Sequence, residues 1–174
     1  MVKLNVNKEI MSSRLLIALA RPQYDESPDE FAKKIQHVLQ PQTCVSLPKS
    51  WQNINTLEDT HRWLHLQLAQ AQLYTISNRQ TSDLLGVAVL HEHSDEAYIG
   101  YVIANEYWGQ GFASEALQTL IACYKEQTTI KTLVAGVDKD NIGSIKVLTK
   151  SGFTQVHCEH NDSNTLHYTF SLID

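Results

Sequence analysis

The chain has 174 residues, 43 % of them apolar and 19 % charged, and a formal net charge of −5. This is too apolar for a disordered polymer and sized for one domain around one core, residues 1–174 together. The acidic excess argues against a surface built to neutralise nucleic-acid phosphates or anionic lipid, while Cys44, Cys123 and Cys158, odd in number and without a CxxC pair, suggest neither a disulfide framework nor a zinc site.

The stretch from Met1 to Met11 carries Lys3, Lys8 and Glu9 in place of an apolar secretory core, and no run approaches the roughly 18 apolar residues of a membrane span. A cytoplasmic protein with reduced thiols is expected. Ser13 to Leu19 suits a strand. Ser27-Pro28-Asp29-Glu30 offers a capping hydroxyl, a first-position proline and a carboxylate three residues on, predicting a helix to about Leu39. After a loop from Pro41 to Pro48, Thr56-Leu57-Glu58-Asp59 repeats that pattern and opens a second amphipathic helix with Leu64, Leu68 and Ala71.

The period then changes. Leu73 to Ser77, Leu84 to Leu90 and Tyr98 to Ile103 read as an antiparallel meander with polar turns at Asn78 to Asp83 and His91 to Glu96. From Gly111 the spacing of Ala113, Ala116, Leu117, Leu120, Ile121 and Tyr124 is helical again. Thr132 to Val137 is a strand, and Asn141 caps a helix that ends at Ser151-Gly152-Phe153, a left-handed glycine stop. Strands from Phe153 to His157 and Leu166 to Phe170 flank a polar turn, Glu159 to Asn164. The order is β-α-α-β-β-β-α-β-α-β-β, an α+β fold without repeats or linkers.

Chemistry concentrates where the strand ending at Ile103 leads into Trp108-Gly109-Gln110-Gly111-Phe112-Ala113. Glycines there allow close approach of a ligand, and unpaired N–H groups at the helix start aim at an anion such as a pyrophosphate. A tight strand-to-helix turn explains the two glycines as well. A dinucleotide loop fits less: the third glycine of GxGxxG is Ser114, and a meander rather than a βαβ unit precedes it.

Tyr101-Val102-Ile103, Tyr107 to Leu117, Asp140 to Leu148 and Gly152-Phe153 together resemble the GCN5-related N-acetyltransferases, in particular the branch of ribosomal-protein N-terminal alanine acetyltransferases. The resemblance implies a mixed, mostly antiparallel sheet of about seven strands with helices on both faces, and acetyl-CoA as acyl donor. It implies that the strand from Tyr98 splays from the one at Thr132 and that pantetheine lies in the gap against the backbone of Tyr101, Val102 and Ile103. The loop of Trp108, Gly109, Gln110, Gly111, Phe112 and Ala113 would hold the pyrophosphate, with Asn141 and Ser144 toward the thioester. The acceptor implied is a primary amine, a protein N-terminus or a small molecule; relatives often pair as dimers. An acetyl-CoA-binding sensor without fast turnover is the alternative.

This chain departs from the family twice. The Gln or Arg that often opens the pyrophosphate loop is Trp108, and the catalytic Glu of some relatives falls near Ala97 or Tyr98. Amides around Val102 and Ile103 are candidates for the oxyanion, and Tyr98 or Ser144 for the proton to the leaving thiolate. His91, Glu92 and His93 are candidate bases or simply a solvated turn. His61 and His65 lie four apart, but Arg62 stands where HExxH needs Glu, so no metal site is expected. The resemblance implies that the first two helices lie over the acceptor pocket, so Leu57, Trp51 and Trp63 are candidates to shape it or are core residues.

Overall fold

In a computed structural model, which describes residues 9–127, 129–157 and 164–173, the chain forms one mixed sheet covered by helices on both faces. Strands β1 (Ile10–Met11) and β2 (Leu15–Leu19) precede α1 (Ala20–Glu26), α2 (Pro28–Val38), α3 (Pro41–Cys44) and α4 (Leu57–Gln70). Then come β3 (Gln72–Asn78), β4 (Leu84–His93), β5 (Glu96–Ile103), α5 (Phe112–Gln127), β6 (Thr132–Asp138), α6 (Ile142–Lys150), β7 (Thr154–Val156) and β8 (Thr165–Ser171). The sheet order is β1-β2-β3-β4-β5-β6-β8-β7; each neighbouring pair is antiparallel except β5 and β6, which the α5 crossover makes parallel.

Two apolar layers sandwich the sheet. Ala116, Leu117, Leu120, Ile121 and Tyr124 of α5 pack with Ile17, Ile76, Leu90 and Ile99 on one face, while Phe31, Ile35 and Val38 of α2 and Trp63 and Leu64 of α4 pack with Leu73, Val87, Val89 and Val102 on the other. Among the described residues no helix is long and apolar enough to cross a membrane.

Local chemistry decides several boundaries. At Thr56 the hydroxyl accepts from the Asp59 N–H at 3.0 Å and the Asp59 carboxylate accepts from the Thr56 N–H at 3.0 Å, a complete capping box. Ser27 makes no such cap: α1 runs straight into it, and its N–H closes that helix on the Gln23 C=O at 3.3 Å. At the end of α6, Gly152 at φ +91° sends its N–H to Thr149 and Phe153 sends its own to Leu148, both at 3.1 Å.

The sheet has eight strands where about seven were expected, because the chain before Leu15 doubles back as the two-residue β1. Helices α1 and α3 are further additions. The turn expected from His91 to Glu96 is shorter: the ladder continues to His93 opposite Glu96, leaving Ser94 and Asp95 as a turn with Ser94 at φ +56°. Most of the polar turn expected from Glu159 to Asn164 lies outside the described residues.

Candidate active site

The parallel pairing of β5 with β6 covers only Glu96, Ala97 and Tyr98, the last opposite Val134. From Ile99 onward β5 remains paired to β4 while β6 continues beside β8, so a wedge opens between them. The Ala104 N–H donates to the Leu85 C=O at 2.8 Å, which fixes the alternation along β5. Val102, Gly100 and Tyr98 therefore turn their backbone groups to β4, and Ile103 and Tyr101 turn theirs into the wedge. The Val102 N–H thus faces Val87, and the amides of Tyr101 and Ile103 face the gap.

Side chains alternate in the same register. Tyr101 reaches over the wedge on the α5 side, its hydroxyl 2.9 Å from Ser144 Oγ in the first turn of α6. Burial pushes the Tyr101 phenol up to about 12, only partly offset by the Ser144 hydroxyl, so it stays protonated near neutrality. Asn141 caps that helix, its Oδ1 accepting from the Ser144 N–H at 3.1 Å. Beyond the wedge, the indole N–H of Trp108 donates to the Ile103 C=O at 2.7 Å and ties the loop to the end of β5.

Gly109 at φ +75° and Gly111 at φ +82° then turn the chain into α5. The Glu115 N–H takes the Gly111 C=O at 3.1 Å, so Phe112, Ala113 and Ser114 start the helix with N–H groups directed out of its end. A Cβ added at Gly109 would meet nothing within 4 Å. Free amides at a helix start are able to accept an anion in contact with backbone.

The opposite face of β5 differs. Val87 and Val89 pack into the α2–α4 layer, so His91 and His93 project on that side, opposite Tyr98 and Glu96 respectively. The Tyr98 hydroxyl donates to Glu96 Oε2 at 3.2 Å, and the residue is 46 % exposed. A carboxylate thus stands on this face after all, two residues before Tyr98. Glu92 points the other way and accepts from Gln72 Nε2 at 2.8 Å and the Tyr124 hydroxyl at 3.1 Å, which commits it to the α5 layer. Trp51 lies across Gly100, where an added Cβ would come within 3.4 Å of its ring, and stacks edgewise on Trp63 at 5.1 Å. Leu57 packs half-buried against the same apolar layer.

Of the sequence-predicted residues, Tyr101, Ile103, Asn141, Ser144 and the Trp108 to Ala113 loop converge on one wedge. Tyr98 and Ser144 do not meet: Ser144 joins Tyr101 on the α5 side, and Tyr98 faces the α2–α4 side. His61 and His65 do share a helix face, yet both bind Tyr24, whose hydroxyl is 3.1 Å from His61 Nδ1 and from His65 Nε2, with Asp29 2.9 Å from His61 Nε2. Among the described residues no group of His, Cys, Asp and Glu is arranged to hold a metal. Sequence reasoning missed Glu96 and Arg14. The two-residue spacing of Glu96 and Tyr98 on a strand was the signal for the first; nothing local marked the second.

A family model described as an acetyltransferase (GNAT) domain matches residues 22–154. The uncharacterized N-acetyltransferase p20 of Bacillus licheniformis is 32 % identical over 87 residues, 48 % of this chain and 49 % of its own. The chain spans about half the length of the curated relatives it matches. Among solved structures, a GNAT-family acetyltransferase from Bacillus anthracis has TM-score 0.77 at 19 % identity, over 95 % of this chain and 99 % of that one. RimL, a ribosomal L7/L12 alpha-N-protein acetyltransferase in complex with coenzyme A, has TM-score 0.73 at 23 % identity, over 94 % and 98 %. At these identities the structural likeness speaks for the fold.

Proposed function

The chain belongs to the acetyltransferase (GNAT) domain family, and on that premise we propose that it moves an acetyl group from acetyl-CoA directly to a primary amine, a protein N-terminus or a small molecule. The observation that carries this reading is the wedge between β5 and β6 opening onto the amide rim of the Gly109 to Ala113 loop. The residues present fit the donor: the glycines leave room for a diphosphate, and the Tyr101 N–H and C=O offer an extended amide chain a strand-like partner. Named relatives support the chemistry, and RimL is described with coenzyme A bound. A cytoplasmic setting suits this donor.

Acetyl-CoA, when bound, supplies a thioester as the activated acyl group. The loop amides would anchor its diphosphate, and Tyr101 with Ser144 and Asn141 would position the arm. The Ile103 amide, turned into the wedge, is placed to donate to an anionic oxygen along it. On the acceptor face Tyr98 bridges the reacting region and Glu96; its hydroxyl is the proton-handling group we favour for the leaving sulfur, with Glu96, His91 and His93 as the sink for the amine proton. Ser144, held against Tyr101, serves orientation.

The test is free-thiol release from acetyl-CoA with and without N-terminal peptides, polyamines, amino acids and aminoglycosides. Amine-dependent release with N-acetyl product supports the reading. Tight binding with slow hydrolysis that no amine accelerates would support an acetyl-CoA sensor instead.

A further inference from the structure

The diphosphate loop carries Trp108 where a Gln or Arg often stands, so its anion binding depends on how its peptides are held. What holds them comes from the far end of the sequence. Because β2, β3, β4 and β5 alternate in direction, the start of β2 lies at the sheet end where β5 gives way to the loop. Arg14, just before β2, sits there. Its Nη1 donates to the Gln110 C=O at 3.0 Å, its Nε to Glu115 Oε2 at 2.7 Å, and its guanidinium lies 4.4 Å from the centre of the Phe112 ring. The other carboxylate oxygen of Glu115 accepts from the Ser12 hydroxyl at 2.7 Å, the Arg14 N–H at 2.9 Å and the Ser13 hydroxyl at 3.0 Å.

A trans peptide is planar, so its C=O and N–H point to opposite sides. With the Gln110 C=O drawn to Arg14, the N–H of Gly111 is turned the other way. The same rule applied to the next peptide, whose C=O is held by the Glu115 N–H, turns the Phe112 N–H out of the helix start. We propose that Arg14 is a positioning residue for diphosphate binding, fixing through the Gln110 carbonyl the peptide that presents the Gly111 amide. The inference rests on the acetyl-CoA reading. Arg14 acts through geometry and not through net charge, since Glu115 neutralises it. The fork is what matters: a lysine can keep the Glu115 pair but offers no planar pair of donors to reach Gln110 as well.

The experiment compares wild type, Arg14→Lys and Arg14→Ala by calorimetric titration with acetyl-CoA, with melting temperatures alongside, and follows the Gly111 amide by ¹⁵N-resolved NMR. Wild type should bind with a large downfield shift of the Gly111 N–H. Arg14→Lys should stay folded, lose about tenfold in affinity and show that shift reduced or lost. Arg14→Ala should lose at least as much affinity at a lower melting temperature. A lysine variant that binds as wild type does, or a saturated wild type whose Gly111 amide does not move, overturns the role of Arg14 while leaving the acetyl-CoA reading intact. Failure of folded wild type to bind would remove that reading, and this inference with it.

Discussion

Glu115→Gln tests the energetics of the same corner. Burial by itself would raise this carboxyl, but bonds from the Ser12 hydroxyl, the Arg14 amide and guanidinium and the Ser13 hydroxyl together hold it down to about 2, against an ordinary 4.5. At ~1.4 kcal/mol per pH unit the depression is worth about 3 kcal/mol, and screening at Arg14, whose side chain is 46 % exposed, brings that to about 2 kcal/mol. The sign follows from a folded value below the unfolded one. The contribution is fully present above pH 4.5 and is lost as the pH falls through about 2. Urea unfolding of both proteins between pH 7 and pH 3 measures it. The wild type should lead the variant by about 2 kcal/mol at pH 7, and the lead should narrow below about pH 4.5. A lead that stays constant across that range would mean that the Glu115 charge contributes no such stability.

Other expectations concern the frame and the acceptor face. Gly86→Ala puts a Cβ 2.1 Å from the Val102 oxygen and 2.8 Å from Ile103 Cδ1, so it should destabilise by about 3 kcal/mol in urea unfolding, by forcing β4 and β5 apart. Thr56→Ala removes one half of the capping box and should cost about 1 kcal/mol in the same assay. Tyr98→Phe should lower kcat about tenfold with the KM for acetyl-CoA unchanged in steady-state kinetics, since the lost hydroxyl handles a proton and holds no cofactor.

The parts of the fold written in local chemistry were legible. Thr56 and Asp59 specify a helix start by themselves, Gly152 and Phe153 a helix end, and the α5 stripe from Ala116 to Tyr124 its buried face. Ser27 and Pro28 mark the start of α2 as expected, although the Ser27 hydroxyl makes no cap, and Pro22 hid the helix before it although proline is tolerated in a first turn. The two residues of β1 carry no periodicity to detect. The glycine loop and its helix were legible because the turn into α5 takes two residues at positive φ, which favours glycine at 109 and 111. The direction each β5 amide faces was not: it depends on the Ala104 to Leu85 bond, a pairing between strands. Nor was Arg14, whose bond to Gln110 spans 96 residues of sequence.

If acetyl-CoA binds in the wedge between β5 and β6 with its diphosphate on the Gly109 to Ala113 amides, a bulky side chain at Gly111 should block it. Calorimetric titration of wild type and Gly111→Trp tests it most directly. At φ +82° the tryptophan costs about 1–2 kcal/mol in backbone strain, and its Cβ, 3.5 Å from Arg14 Nη2, puts a bulky ring on the loop itself. Wild type should bind with micromolar affinity and the variant not at all at the same concentrations, both melting cooperatively. Equal binding by the two, or no binding by a folded wild type, would contradict this placement of the cofactor.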